Sequence, residues 1–225
     1  MMRLSSAETD RDGLPTEDMV LNMGPAHPAT HGTVHLRLVL DGERIKDAQV
    51  NVGYLHRGFE KECEAHTWAQ IFPYTDRLNY VSPMLNNIGY ALAVEKLLGL
   101  EVPPRAQWLR MIVGELARLC DHLTCMAAQV MELGAFTPYF YMIKCREWIW
   151  DLLEAISGAR LTHSYVRIGG MAWDMPEDFA ERTLAIVDRT MEVTDEFDAL
   201  MTRNRIFMDR MMGLAVISRE DAINY

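Results

Sequence analysis

The chain has no C-x-x-C pair, no Gly-x-Gly-x-x-Gly stretch and no apolar run long enough to span a bilayer. Without the first, a self-contained iron–sulfur or zinc module of the usual spacing is excluded. Without the second, a dinucleotide-binding βαβ fingerprint is excluded. The longest stretch free of Asp, Glu, Lys and Arg is residues 19–36, and it carries two prolines and three histidines. The next, 78–94, is interrupted by Asn79, Ser82, Asn86 and Asn87. Neither resembles the run of about 20 apolar residues that a membrane helix needs. Basic residues are scarce as well: 22 Lys and Arg face 32 Asp and Glu, a net charge of −10. Nucleic acid and anionic bilayers are therefore poor partners on charge alone. The N-terminus lacks an apolar signal core and is too acidic for a transit peptide, so the chain reads as soluble and unexported.

What is there is an ordinary globular composition. Apolar residues make up 49% of the 225 and charged residues 24%, which excludes a disordered or fibrous chain. The four cysteines, Cys63, Cys120, Cys125 and Cys145, are expected to be reduced and buried as small hydrophobes. Sixteen methionines suit an irregular core or an adaptable surface.

Hydrophobic periodicity predicts a mainly α fold with a small N-terminal antiparallel β-sheet, followed by a long-helix bundle. Residues 1–18 are polar and expected to be flexible. Segment 19–56 reads as loop and sheet. Val34, Leu36, Leu38 and Leu40 alternate with His35 and Arg37, Asp41-Gly42 marks a hairpin turn, and Ile45, Val50 and Val52 fall in a second strand. Segment 57–225 reads as helical, with no terminating signal at its end. Ser82-Pro83 opens a helix ending at Gly99, with Leu85, Ile88, Leu92 and Leu98 on one face. Pro103-Pro104 opens a second that runs to Gly134, about 45 Å long. Thr137-Pro138 opens a third, to Gly158, and Asp174-x-Pro176-Glu177 resembles a capping box for a fourth through Phe197 and Leu200.

Three stretches could carry chemistry. In Gly24-Pro25-Ala26-His27-Pro28-Ala29-Thr30-His31-Gly32 the two histidines stand four apart, as on a zinc-protease helix. Pro28 between them opposes that helix, and no Glu follows His27 to serve as a base. The segment is either a rigid structural turn or a rigid loop presenting an imidazole to a ligand. In Tyr54-Leu55-His56-Arg57-Gly58-Phe59-Glu60, Arg57 is either an ion-pair partner of Glu60 or a fixed positive charge near something anionic. In the third stretch, residues 74–83, Tyr80 at a helix start is either a packed amphipath or a proton donor.

Together with Ala91-Leu92-Ala93-Val94-Glu95-Lys96-Leu97-Leu98, Gly134-Ala135-Phe136-Thr137-Pro138 and Tyr165-Val166-Arg167-Ile168-Gly169-Gly170, these stretches resemble a known family. In the same order, they are similar to the N-terminal portion of the 49-kDa (D) subunits of NADH:quinone oxidoreductase, respiratory complex I. The resemblance covers residues 19–225. The family is similar in turn to the nickel–iron hydrogenase large subunit, whose fold is of this sheet-and-bundle kind. Where hydrogenases carry R-I-C-G-V-C, this chain has Arg77-Leu78-Asn79-Tyr80-Val81-Ser82. Asn79 and Ser82 replace the thiolates that would bind nickel, which argues against hydrogenase chemistry.

The resemblance implies a subunit of the peripheral arm of the proton-translocating enzyme, active only within the complex, that helps pass electrons to quinone. The metal cavity would have become a quinone pocket in which His31 and Tyr80 hydrogen-bond the two carbonyl ends. A phenol and an imidazole can both donate protons, and the reduced quinone is basic enough to take them. Glu132 would orient His31, and Arg57 would lie beside an iron–sulfur cluster of the neighbouring B subunit and raise its potential. The chain itself would bind no cofactor; NADH and FMN would sit elsewhere in the complex. The implied partners are the B, C and other peripheral-arm subunits, a membrane subunit at the quinone entrance, and quinone, with no nucleic acid. The implied location is the cytoplasmic face of the cell inner membrane. Two positions depart from the family: Glu132 stands where Asp is usual, and Thr162, followed by His163, stands where a cluster-linked His is usual. Family chains also continue beyond position 225. A non-catalytic structural fragment of the same complex is the alternative.

Overall fold

The structure, a computed structural model, describes residues 8–9 and 15–225. The expected flexible segment 1–18 lies largely outside the described residues. The chain divides into two compact units, Met1–Glu62 and Cys63–Tyr225.

In the first unit, β1 (Glu8–Thr9) pairs with β2 (Pro15–Thr16). The main sheet is a three-stranded antiparallel meander of β3 (Met19–Met23), β6 (His35–Asp41) and β7 (Arg44–Asn51), with β6 central. Leu21 faces Leu38 and Met19 faces Leu40 across β3 and β6. Leu38 and Leu40 are buried, as the alternation requires, whereas Ile45 and Val50 are exposed and Val52 falls past the strand end. A bulge at Val39/Leu40 shifts the β6–β7 register. His35 is a cross-strand pin: its Nε2 lies 3.0 Å from Asn22 Oδ1 and its Nδ1 3.1 Å from Asn51 Nδ2. Between β3 and β6, β4 (Ala26–His27) and β5 (Gly32–Thr33) form a second hairpin closed by a 3₁₀ turn at Pro28–Thr30. Gly24 at its base has φ +83°, and a Cβ there would run into the Val34 carbonyl oxygen. Only glycine satisfies both conditions.

The second unit is helical. After α1 (Phe59–Ala65), which crosses the division, come a 3₁₀ turn at Trp68–Ile71 and the short α2 (Phe72–Thr75). Four long helices follow: α3 (Pro83–Leu98), α4 (Pro104–Glu132), α5 (Phe136–Ser157) and α6 (Phe179–Met201). The chain ends with α7 (Arg205–Met211) and α8 (Arg219–Asn224). The mainly α fold with its small N-terminal sheet is as the sequence predicts. The core is formed by Val113, Ala117, Cys120 and Ala127 of α4 against Met142, Cys145, Ile149, Leu152 and Ile156 of α5. Gly134 (φ +88°) turns α4 into α5 in a Schellman arrangement, with Gly134 N donating to Met131 O and Ala135 N to Val130 O.

Three expectations are corrected. The buried face of α3 is Met84, Asn87, Ala91, Val94 and Glu95; of the expected face, Leu85 and Ile88 are half-buried and pack against the core, whereas Leu92 is 54% exposed and Leu98 49%. Two buried polar residues, each with partners, disguise the true stripe. Asp174 does not cap α6. Its carboxylate accepts a bidentate pair from Arg105 at 3.0 and 2.9 Å and one bond from Met175 N, and α6 begins at Phe179. Cys125 is exposed and Cys63 half-buried, while Cys120 and Cys145 are buried; all four are free thiols.

The periodicity also misses a short hairpin, β8 (Val166–Arg167) with β9 (Gly170–Met171). It is held by an ion pair buried on both sides. Arg110 of α4 donates to Glu95 of α3 through Nη1 (2.8 Å) and Nη2 (2.5 Å), at 4% and 3% residue exposure. Nη2 also reaches the carbonyls of Arg167 and Gly170, and Gly169 N donates to Glu95 Oε1 at 2.7 Å. The Arg110 guanidinium holds the Glu95 carboxyl below its ordinary range. Removing one partner strands the other charge in the interior. Arg110→Ala should therefore cost about 3–5 kcal/mol, and Glu95→Leu/Arg110→Met should recover most of that. Urea unfolding of the three chains measures both; an Arg110→Ala cost below about 1 kcal/mol, the range of an exposed pair, would contradict the assignment.

Candidate functional site

Four residues stand out from the sequence as site candidates. His31 and Arg57 belong to the first unit, Tyr80 and Glu132 to the second.

The hairpin around His31 separates the two histidines by role. His27 Nδ1 accepts from Ala29 N at 3.1 Å, and the Thr30 hydroxyl lies 2.8 Å from both the His27 and Gly32 carbonyls. His27 is thus a turn-capping residue. His31 closes the turn in the left-handed region (φ 50°, ψ 29°) and is exposed. His is among the non-glycine residues enriched there. The two histidines occupy a hairpin and not a helix, so the zinc-protease spacing has no shared face. Arg57 is exposed between a turn, where His56 N donates to Gly53 O, and the start of α1, where Glu62 N donates to Gly58 O. Among the described residues it forms no ion pair with Glu60.

Tyr80 sits on the turn between α2 and α3. It is 56% exposed, so it is not a packed amphipath, and its hydroxyl has no hydrogen-bond partner among the described residues. The turn beneath it is tied down on all sides. Asn79 Nδ2 donates to Asp121 Oδ2 of α4 at 2.9 Å, and Ser82 Oγ donates to the same oxygen at 3.3 Å. Ser82 N donates to Asn79 O, and Asn86 Nδ2 reaches that carbonyl at 3.4 Å. On the N-terminal side, buried Thr75 Oγ1 donates to Asn87 Oδ1 at 2.7 Å, and Asn87 Nδ2 to His163 O at 3.2 Å. Asn79 and Ser82, the two positions compared with metal-binding cysteines, thus converge on one carboxylate. Among the described residues no three His, Cys, Asp or Glu side chains gather as a metal-holding group.

Sequence reasoning misses Asp121. A signal for it exists: it lies four residues after Ala117 and eight after Val113, in register with the buried stripe of α4, where a lone carboxylate needs a partner. Glu132, the last residue of α4, lies eleven positions further, roughly 16 Å along the helix. The carboxylate under the Tyr80 turn is therefore Asp121.

A family model described as "Respiratory-chain NADH dehydrogenase, 49 Kd subunit" matches residues 132–225. The chain is 56% identical to the NADH-quinone oxidoreductase D subunit 1 of Sorangium cellulosum over 220 residues, 98% of this chain and 54% of that protein. It is 53% identical to the D subunit 1 of Anaeromyxobacter dehalogenans (93% of this chain, 49% of that protein). It is 52% identical to the D subunit of Myxococcus xanthus (94% and 51%). The chain belongs to the 49-kDa subunit family of respiratory NADH dehydrogenases. It spans about half the length of the curated relatives it matches. The family membership read from the motifs is thereby borne out. No helix among the described residues is long and apolar enough to cross a membrane.

Two buried titratable groups flank the α2–α3 segment. Asp76, 2% exposed and 2.7 Å from Arg77 Nη1, is pushed up by burial to about 6 from an ordinary 3.8, against the opposing pull of Arg77. His163, fully buried, is pushed down by burial to about 4 from 6.5. Their effects on stability oppose each other. The Asp76 contribution is greatest below about pH 4 and is lost as pH rises through 6, because the folded state holds that proton more tightly. The His163 contribution is greatest above pH 6.5 and is lost as pH falls through 4, because the unfolded state binds that proton more tightly. Asp76→Asn should gain stability relative to the parent, by about 2–3 kcal/mol between pH 4 and 7. His163→Phe should gain by a similar amount in the opposite direction, from pH 7 to 4. Urea midpoints at three pH values test both; parallel profiles for parent and variants would refute the assignments.

Proposed function

We propose that this chain is a quinone-site subunit in the peripheral arm of a proton-translocating NADH:quinone oxidoreductase, working only within the assembled complex. The supporting observation is the Tyr80 phenol, solvent-facing and without a partner among the described residues, on a turn whose flanking polar side chains are engaged. The named relatives are NADH-quinone oxidoreductase subunits, which is the second support.

In this reading His31 and Tyr80 hydrogen-bond the two carbonyl oxygens of a quinone. Two electrons arrive from an iron–sulfur cluster of a neighbouring subunit, and the phenol and the imidazole each supply one proton, giving the quinol. As electron density builds on the oxygens, their basicity rises and proton donation becomes favourable. Arg57 is the fixed cation beside the cluster, and Glu132 acts on His31. The chain needs no cofactor of its own; NADH and FMN chemistry belongs to other subunits. Exposed Leu92, Leu97, Trp108, Met111, Leu184 and Met191 are consistent with surfaces that other subunits cover. The location that follows is peripheral, on the cytoplasmic face of the inner membrane.

In an assembled complex Tyr80→Phe should slow quinone reduction by about 10²-fold or more, with NADH-driven cluster reduction unchanged. His31→Asn is the companion, since Asn tolerates the left-handed backbone while removing the imidazole. Wild-type quinone turnover in Tyr80→Phe would overturn the donor assignment. Loss of assembly in His31→Asn, with no loss of turnover per assembled complex, would favour a structural role for the hairpin.

A further inference from the structure

The geometry points to Asp121 as the positioning residue of the quinone-reducing turn, and this rests on the function proposed for Tyr80. The 79–82 turn carries three side chains able to donate a hydrogen bond: the Asn79 amide, the Tyr80 phenol and the Ser82 hydroxyl. Two of them, on either side of the phenol, donate to the same Asp121 oxygen at 2.9 and 3.3 Å. Asn79 Oδ1 is turned back toward Val81 N at 3.4 Å, which fixes the face the amide shows to Asp121. One acceptor on α4 therefore orients both neighbours inward and leaves the phenol as the outward donor. Without that acceptor, Asn79 and Ser82 become competing donors beside the headgroup, and the turn gains rotameric freedom.

Helix α4 suits the task. Its buried stripe includes Ala117, Cys120 and Leu123, so Asp121 projects from a backbone held on both sides by the core. Arg77, the cation nearest the turn in sequence, is engaged with Asp76 and the Pro73 carbonyl. Asp121 thus acts through the two neutral donors. A carbonyl oxygen in its place would accept the same two bonds, because both converge on a single atom.

The test uses the assembled complex carrying this chain, with a short-chain benzoquinone as substrate and hexacyanoferrate reduction by NADH as the readout that bypasses quinone. Asp121→Ala should raise the quinone KM about tenfold, the loss of roughly one charge-assisted hydrogen bond, with hexacyanoferrate reduction per complex unchanged. Asp121→Asn should stay within about twofold of the parent. Asn79→Ala combined with Asp121→Ala should cost less than the sum of the two, since they remove one interaction. A parental KM in Asp121→Ala overturns the inference, as does an Asp121→Asn variant as impaired as Asp121→Ala. If Asp121→Ala fails to assemble, the Asn79→Ala/Ser82→Ala pair takes its place, and a parental KM there overturns the inference equally. Tyr80→Phe, measured alongside, separates the two ideas. A defect in Tyr80→Phe with none at Asp121 sinks only the positioning role. A KM defect at Asp121 with full turnover in Tyr80→Phe sinks only the donor role of the phenol.

Discussion

The second unit depends on a carboxylate and a guanidinium held out of water between α3 and α4. Glu95 and Arg110 satisfy each other in two hydrogen bonds, and further bonds from both reach the turn of the β8–β9 hairpin. Such a pair is weak evidence for net stability, because desolvation offsets much of the attraction. Its effect is one of register. A bidentate fork accepts one rotation and one translation of α4 against α3, whereas leucine ridges would tolerate several. Everything that α4 carries inherits that register, including Asp121 three turns further on.

From this follows the division of labour around Tyr80. The core of α4 and α5 fixes the helix; the helix fixes Asp121; Asp121 fixes Asn79 and Ser82; and those two frame the phenol. A second line of support arrives from the other end of the segment, through Thr75, Asn87 and the backbone of His163. Each step uses a partner at hydrogen-bond distance, and none requires Tyr80 itself to be packed.

Much of this is legible in the residues. The bounds of α3, α4 and α5 follow from Pro83, Pro104 and the glycines at 99, 134 and 158, because proline and glycine act on the backbone locally and need no tertiary knowledge. The α4 and α5 core residues are legible for a similar reason: Val113, Leu116, Ile149 and Leu152 are apolar and buried. The α3 face is not. Asn87 and Glu95 are buried there because partners distant in sequence satisfy them, and a hydrophobicity pattern has no access to partners. Asp174 fails as a cap for the same cause, since Arg105 from another helix takes its carboxylate. Strand β3 and the β8–β9 hairpin escape because neither carries a clean alternation: the first is exposed along most of its length, and each strand of the second has two residues. At the site, residue types point to Tyr80 and His31, but the group that orients the Tyr80 turn becomes visible only once α4 and the turn are placed side by side.

That the turn is held by hydrogen bonds instead of apolar contacts has a physical reason. Apolar packing is non-directional and rewards buried area, so a turn anchored that way would draw its aromatic residue inward. A tyrosine ring offers a large area to bury, and beside the core of α3 and α4 it would gain by turning in. Hydrogen bonds act along defined directions over a narrow range of distance. Asn79 and Ser82, with little apolar surface of their own, let Asp121 bind the turn at its two ends without offering a greasy cleft for the ring. Two polar residues of that kind are compatible with an outward phenol, and two thiolates bound to a metal would have been another way of fixing the same backbone. Thiolates at these two positions would favour a soft metal, whereas the neutral donors of Asn79 and Ser82 bind a carboxylate.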